Sequence, residues 1–159
     1  MKKLLLIFFL FGLLFFNNCA KNEKNEIVRI QEDKIEAQMI GAYQEGMVAF
    51  DNRLYLEAAK KFNEAEILFP QSEWAPRSSL MAAYAYYYDD YNNRAISELI
   101  NFFKKYPKDP NTSYAHYLLA MSYYNTIIDE KKDLEPLKNS KQQFEYIVEN
   151  YPNTEFSLD

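Results

Sequence analysis

The chain has 159 residues and a formal net charge of −5 at pH 7, and this acidic balance argues against nucleic-acid binding because it repels phosphate groups. It contains three glycines and a single histidine, His116, so it offers neither a glycine-rich phosphate loop nor a Cys/His cluster with metal-ligand spacing. We therefore expect no catalytic residues, no metal and no cofactor, and we interpret His116 as a structural residue.

The first eighteen residues are typical of a lipoprotein export signal. Lys2 and Lys3 give a positive start, and residues 4–16 form an uncharged apolar run that is too short to span a bilayer comfortably. The only cysteine, Cys19, follows at the position where a bacterial lipoprotein signal is cut and the thiol is acylated. We predict a signal peptide over residues 1–18 and lipidation of Cys19. A plain signal peptide with an incidental cysteine is the alternative.

Residues 19–35 form a short polar segment before the first repeat. They are charged and contain few apolar side chains, a composition typical of a solvated linker. We predict a tether between the lipid and the first helix. Because Ala20 follows the cysteine, where an aspartate tends to retain lipoproteins at an inner membrane, we expect an anchor in the outer membrane that faces the periplasm.

Three copies of one helical pattern follow. Each copy has four apolar or small residues spaced 4, 3 and 4 apart, with a proline directly after the last. This spacing places the four side chains on one stripe of an α-helix, and the proline cannot continue that helix because it lacks an N–H. The copies are Ala58-Phe62-Ala65-Phe69-Pro70, Ala95-Leu99-Phe102-Tyr106-Pro107 and Ser140-Phe144-Ile147-Tyr151-Pro152. Each copy is therefore predicted as one amphipathic helix with a defined end.

Upstream of each copy lies a second helical segment around a small residue, which is Gly46, Ala83 or Ala120. A helix pair that recurs in this way is typical of a solenoid, since no pair buries its apolar face alone and neighbouring pairs stack into one core. The pattern resembles the tetratricopeptide repeat, whose first helix carries a small residue where the two helices of a pair approach closely. An ordinary helical bundle is the alternative.

We therefore predict an all-α tetratricopeptide-repeat α-solenoid of about three helix pairs over residues 36–159. The repeats are expected at about residues 42–70, 79–107 and 115–152, followed by the start of a fourth. The helices are expected near residues 39–51, 55–69, 75–88, 93–106, 112–127 and 137–151.

The third repeat carries eight extra residues between its helices. They include the charged run 129–136, which is typical of a solvated loop; a partner-contact loop is the alternative, because only one repeat is lengthened. At the end of the chain, residues 152–156 repeat the pattern that opens the second repeat at residues 70–74, an N-cap residue followed by an aromatic one. We expect either a fragment of a longer protein or a partner that covers this edge.

Aromatic residues are frequent on the first helices, which line the concave surface of a tetratricopeptide-like superhelix. A tyrosine offers an apolar ring with a polar tip and little rotamer entropy to lose, and methionine adds adaptability. We expect about half of these rings to pack against the neighbouring repeat, and Arg77 to pair with a peptide carboxylate. The predicted peptide-binding groove comprises Tyr43, Met47, Phe50, Arg77, Tyr84, Tyr87, Tyr88, Tyr117, Met121 and Tyr124.

The export signal, the tether, the repeats and the widened third repeat together resemble the BamD family. These are lipoprotein subunits of the machinery that folds β-barrels into the bacterial outer membrane. The segments that carry the resemblance are residues 42–70, 79–88, 103–117 and 144–154. The resemblance implies a non-enzymatic protein, lipid-anchored at the periplasmic face of the outer membrane. It also implies that the protein binds unfolded β-barrel substrates, the barrel-bearing subunit and other lipoproteins of the complex.

Two other functional classes remain open. A different periplasmic repeat adaptor, such as the protein that binds the Tol system, has similar repeats. That protein normally begins with a coiled coil, and residues 27–44 do not sustain three heptads. An enzyme on a helical-repeat scaffold is the other class, and it would need chemistry that this composition does not supply.

Overall fold

The computed structural model describes residues 20–128 and 133–158, with side chains from residue 28 onward. Within them the chain forms six α-helices and one 3₁₀ turn, and it contains no strand. The elements are α1 (Ala20–Asp51), α2 (Tyr55–Leu68), α3 (Trp74–Tyr88), α4 (Asn92–Lys105), α5 (Thr112–Asn125), α6 (Glu135–Asn150) and the 3₁₀ turn η1 (Glu155–Ser157). The predicted all-α fold is confirmed, whereas the predicted signal peptide and Cys19 lie outside the described residues.

The chain divides into two compact units, Met1–Ala37 and Gln38–Asp159. Every contact described below lies within the second unit. The boundaries of α2 to α6 agree with the predicted ones to within two residues, and the prolines explain the ends of the second helices. Phe69, Tyr106 and Tyr151 have left the helical conformation, with φ between −143° and −128°, because a following proline disfavours helical backbone at the residue before it.

The first helix begins earlier than predicted, at Ala20 rather than near residue 39. Residues 20–35, predicted as a polar tether, are therefore helical in this structure. The segment contains neither glycine nor proline and is rich in lysine and glutamate, which are good helix formers even when they remain in solvent. A polar composition predicts a linker, but it is equally compatible with an exposed helix.

The core runs continuously from one repeat into the next. One cluster joins Ala58 and Phe62 of α2 to Ala82 and Ala85 of α3. The next cluster joins residues of α3, α4 and α5 in the same manner, with Leu99 at its centre. Each second helix thus lies between the first helix of its own repeat and the first helix of the next, which is the arrangement expected of a solenoid.

The helices of the first repeat approach closely at Gly46. A Cβ atom added there would lie 2.7 Å from a ring carbon of Phe62, a distance that side-chain packing does not tolerate. Ala58, Ala83 and Ala120 are fully buried. The predicted role of these small residues as the points of helix approach is consistent with the packing.

The first two repeats share one turn between their helices. Arg53 and Asp90 adopt positive φ angles of 61° and 59°. The next residue in each turn donates its N–H back across the helix end, from Leu54 to the carbonyl of Ala49 and from Tyr91 to that of Tyr86, at 2.9 and 3.0 Å. This is the Schellman motif, in which a left-handed residue ends the helix and satisfies its last carbonyls.

Candidate functional site: an aromatic stripe on the first helices

A row of aromatic rings crosses the first helices of the three repeats. Phe50 of α1 stacks on Tyr84 of α3 with 5.4 Å between ring centroids, and Tyr84 meets Tyr114 of α5 at 6.2 Å. Phe156 of η1 then contacts Tyr114 at 5.4 Å and Tyr117 at 5.3 Å. We call these five rings the aromatic stripe. Their spacing is that of ordinary aromatic pairs, so the rings hold one another in place.

Tyr88 lies beside the stripe and is its most accessible neighbour. Its ring contacts Tyr84 at 4.7 Å and Phe50 at 5.5 Å, and Tyr55 of α2 lies 5.6 Å away. The residue is nevertheless 48% exposed. Tyr124, near the end of α5, is 57% exposed. These two phenols present large ring surfaces to solvent on the first helices.

The stripe is electrically neutral. Burial, followed by the hydrogen bond with Tyr88, raises the pKa of Tyr84 to about 12. Burial, followed by the neighbouring phenols, raises the pKa of Tyr114 well above its usual range. Both phenols therefore keep their protons at physiological pH and remain hydrogen-bond donors. The surface combines apolar ring faces with hydroxyl groups and carries no charge of its own.

Five of the predicted groove residues are half-buried and pack against a core cluster. Tyr43 contacts the rings of Phe62 and Trp74, each at 5.3 Å. Met47 and Phe50 pack against the first cluster, Tyr84 packs against the second, and Tyr87 packs against both. Such packing was expected for about half of the set, and Phe50 and Tyr84 combine it with their place in the stripe. Met121 is half-buried on α5.

Arg77 lies near the start of α3, seven residues before Tyr84 of the stripe. Its guanidinium group lies over the ring of Trp74, 5.3 Å from the centroid, a cation–π arrangement. The side chain borders a cleft of about 420 Å³ whose other wall is the turn at Pro110 and Asn111. Arg77 is exposed, and Glu73 and Asp109 line the same cleft.

Tyr114 and Phe156 were not predicted as site residues, although both belong to the stripe. Tyr114 precedes Tyr117 by three positions, which places both on one face of α5. Phe156 occupies the position in its repeat that Trp74 occupies in the second, four residues after the proline. Both signals are present in the sequence, but the contact between these rings depends on how the repeats pack, which neither signal specifies.

His116 is enclosed by aromatic rings. It stacks on Phe103 at 4.1 Å and contacts Tyr146 at 4.4 Å, and its Nδ1 donates to Oε1 of Gln143 at 2.8 Å. Burial lowers the pKa of His116, so the ring is neutral at physiological pH. This packing agrees with a structural role. The described part of the chain contains no group of three or more His, Cys, Asp or Glu residues placed to hold a metal ion.

Comparison with known proteins places this fold in a family. The chain matches the YfiO family model, described as an outer membrane lipoprotein, over residues 35–159. The chain belongs to this family. The matched range contains α2 to α6 and the whole aromatic stripe. Within the described residues, no helix has both the length and the apolar composition required to cross a membrane.

Relatives of known name confirm the resemblance to the BamD family. The chain is 33% identical over 141 residues to the outer membrane protein assembly factor BamD of Caulobacter vibrioides, an alignment that covers 89% of this chain and 45% of that protein. It is 31% identical over 157 residues to the BamD of Rickettsia prowazekii, which covers 99% of this chain and 59% of the relative. The chain thus spans about half the length of the curated relatives it matches.

Proposed function

We propose that the chain acts as a non-enzymatic adaptor in outer-membrane protein assembly, which binds unfolded β-barrel proteins on its aromatic stripe. The name shared by its relatives, outer membrane protein assembly factor, supports the role. The observation that carries the choice of surface is the continuous row of neutral rings from Phe50 to Phe156, with Tyr88 exposed beside it and Tyr124 exposed further along α5.

The spacing of these rings suits an extended chain. Side chains on one face of a β-strand recur about every 7 Å, and neighbouring stripe rings are separated by 5.3 to 6.2 Å. The terminal strands of barrel proteins alternate apolar residues and end in an aromatic residue with a free carboxylate. Stripe rings would receive the apolar side chains, and Arg77 would receive the carboxylate. A receptor for many substrates binds each of them weakly, because it does not specialise on one set of side chains.

The proposal includes the location of the protein and its partners. Lipid on Cys19 would anchor it in the outer membrane at the periplasmic face, where the barrel-bearing subunit and other lipoproteins of the assembly complex would bind it. A Cys19→Ser variant tests the anchor. It is expected to leave the membrane fraction or to remain unprocessed, as judged by fractionation and by the mass of the N-terminal peptide. Membrane fractionation and cleavage like those of the parent chain would contradict lipidation.

The binding test uses a fluorescently labelled peptide with the sequence of a barrel protein's C-terminal strand. It is titrated into the parent chain and into a Tyr88→Ala/Tyr124→Ala variant, whose two rings are exposed and whose loss leaves the core intact. We expect a loss of binding free energy of about 1–2 kcal/mol. Tyr91→Ala is the matched control, because Tyr91 is 46% exposed but lies in the turn before α4.

Two outcomes would count against the proposed surface. Equal affinity for the parent and the double variant, with unchanged helicity, would show that the exposed tyrosines of the first helices do not bind the peptide. An equal loss in Tyr91→Ala would show that any exposed tyrosine contributes. A peptide with an amidated C-terminus tests Arg77 separately: the affinity difference between the free and amidated peptides is expected to disappear in Arg77→Gln.

A further inference from the structure

A groove lies between α1 and α2 on the outer side of the first repeat. It has a volume of about 510 Å³, and Gly41, Glu45 and Val48 of α1 form one wall. Glu57 and Lys61 of α2 stand on the other wall. Val48 is 60% exposed. The groove is separate from the aromatic stripe, and nothing in the proposed substrate binding uses it.

Comparison of equivalent positions in the three repeats shows which kind of structural element fits this groove. The small residues of the three first helices are evenly spaced (83 − 46 = 37 and 120 − 83 = 37), so the wall residues of α1 have exact counterparts on α3 and α5. The counterparts are Ser78, Ala82 and Ala85 on α3, and Ala115, Leu119 and Ser122 on α5. All six are buried, with at most 4% exposure.

A helix covers the counterparts in both cases. Ala58, Ala59 and Phe62 of α2 belong to the cluster that buries Ala82 and Ala85. Phe102 and Leu99 of α4 likewise belong to the cluster that buries Ala115 and Leu119. The same groove is thus filled twice by an α-helix that presents small and apolar residues. Within the described residues the corresponding groove of the first repeat is open, and a Cβ atom added to Gly41 would meet nothing within 4 Å.

The charge of the groove indicates which residues should flank the apolar face of a helix that binds there. Two carboxylates, of Glu45 and Glu57, and one ammonium group, of Lys61, line it. The ammonium group is already engaged, because Nζ of Lys61 lies 2.6 Å from Glu45 Oε2 and 3.1 Å from Glu64 Oε2. The hydrogen bonds with these carboxylates raise the pKa of Lys61. The surplus charge along the groove is therefore negative, and it favours a basic partner.

We propose that this groove docks an amphipathic helix of a partner protein, one with a stripe of small and apolar residues flanked by Lys or Arg. The binding mode is that of a helix in a groove, and its geometry is the one that α2 adopts on α3 within this chain. Val48 would lie at the centre of the contact. Its counterparts in the second and third repeats, Ala85 and Ser122, lie beneath α2 and α4. This site gives the adaptor a second binding surface, independent of the stripe.

The test uses two synthetic peptides as model partners. One has the sequence of residues 55–69, the helix that fills the corresponding groove of the second repeat, and the other carries Glu57→Lys and Glu64→Lys. Both are titrated by fluorescence anisotropy into the full chain, into Val48→Asp and into Ile67→Asp. Ile67 is the matched control, because it is 76% exposed on α2 and lies outside the groove.

We expect the basic peptide to bind more tightly than the native one, with an affinity that falls as salt is added. Val48→Asp should weaken its binding about tenfold or more, whereas Ile67→Asp should bind as the parent does. Equal binding to Val48→Asp and the parent, or no binding of either peptide, would overturn the proposal. The Val48→Asp comparison also separates this groove from that of the second repeat, which does not contain Val48.

Two other occupants give distinct results that would also overturn the proposal. A second copy of the chain would appear as a dimer in analytical ultracentrifugation that Val48→Asp dissociates. If the chain's own N-terminal residues cover the groove, the thiol of a Val48→Cys variant in a Cys19→Ser background should be labelled slowly before any peptide is added, although the chain is a monomer. Rapid labelling that the basic peptide slows is the result expected for an open partner site.

Discussion

The junctions between consecutive repeats differ at one corresponding position of the second helix, which is polar between the first and second repeats and aromatic between the second and third. We call them the polar junction and the aromatic junction. At the first junction the carboxylate of Glu66, only 4% exposed, accepts hydrogen bonds from Lys105 Nζ at 2.9 Å and from the hydroxyl of Tyr106 at 2.8 Å. At the second junction Phe103 stacks on His116 at 4.1 Å. Glu66 and Phe103 occupy the same position of their second helices, 37 residues apart.

This difference shows that two sets of residues in each repeat have different roles, one in the approach of the helices and one in filling the space between them. Small residues such as Gly46 and Ala83 allow the helices to approach, and prolines end the second helices, in both of the first two repeats. The position of Glu66 and Phe103 decides how the remaining space is filled. A buried carboxylate is tolerated only with its donors in place, whereas a ring needs only a matching surface.

Removing both donors at the polar junction is expected to have the largest effect. A Lys105→Met/Tyr106→Phe variant leaves the carboxylate of Glu66 buried without these two partners, which should lower the free energy of unfolding by about 2–4 kcal/mol. Urea denaturation followed by circular dichroism measures the change. Adding Glu66→Leu to the same variant should restore most of the stability, since the junction then becomes apolar like its neighbour.

The rescue by Glu66→Leu is the informative part of that prediction. If the triple variant is no more stable than the double variant, the donors contribute through their own packing and the carboxylate is not the cause. Lys104→Met is the control, because Lys104 is exposed in the last turn of α4 and has no hydrogen bond to Glu66 among the described contacts.

Shortening the ring at the aromatic junction is expected to cost less. Phe103→Ala removes the stack on His116 and leaves a gap between α4 and α5. Because Phe103 is half-buried, we expect a loss of about 1–3 kcal/mol, near or below the lower end of values for fully buried rings. Phe103→Leu, which keeps most of the apolar volume, should lose less than half as much in the same urea experiment. Equal losses would show that the ring contacts of Phe103, and not its apolar volume, provide the stabilisation.

The two junctions also mark how far the sequence could be interpreted. The 4-3-4 spacing of apolar residues on the second helices, the small residues and the prolines are local signals. They predicted the fold, the order of the helices and the bounds of α2 to α6. The partners of Glu66 lie 39 and 40 residues away along the chain, and no periodicity indicates such a pair. The row from Phe50 to Phe156 likewise depends on which residues face each other across repeats, so only part of it was predicted.

The smallest expected effect is the pH response, whose sign should differ between the junctions. Burial lowers the pKa of His116 below 6.5, so the unfolded chain binds its proton first and this residue destabilises the fold as pH falls through 6.5. At the polar junction, burial and then the charge of Glu66 raise the pKa of Glu98 above 4.5. The folded chain therefore binds that proton first, and this residue adds stability as pH falls toward its folded pKa.

Variants that remove one titrating group isolate each response. His116→Phe keeps a ring between Phe103 and Tyr146 but cannot gain a proton, so it should lose less stability than the parent between about pH 7 and pH 5.5. Glu98→Gln should lose more than the parent as pH falls from about 7 toward 4.5, because it lacks the stabilising protonation. Urea midpoints at several pH values measure both differences. The other titrating groups are common to the parent and both variants, so their contributions cancel when the chains are compared. Differences from the parent that have the same sign in both variants would therefore contradict the opposite pH responses of His116 and Glu98.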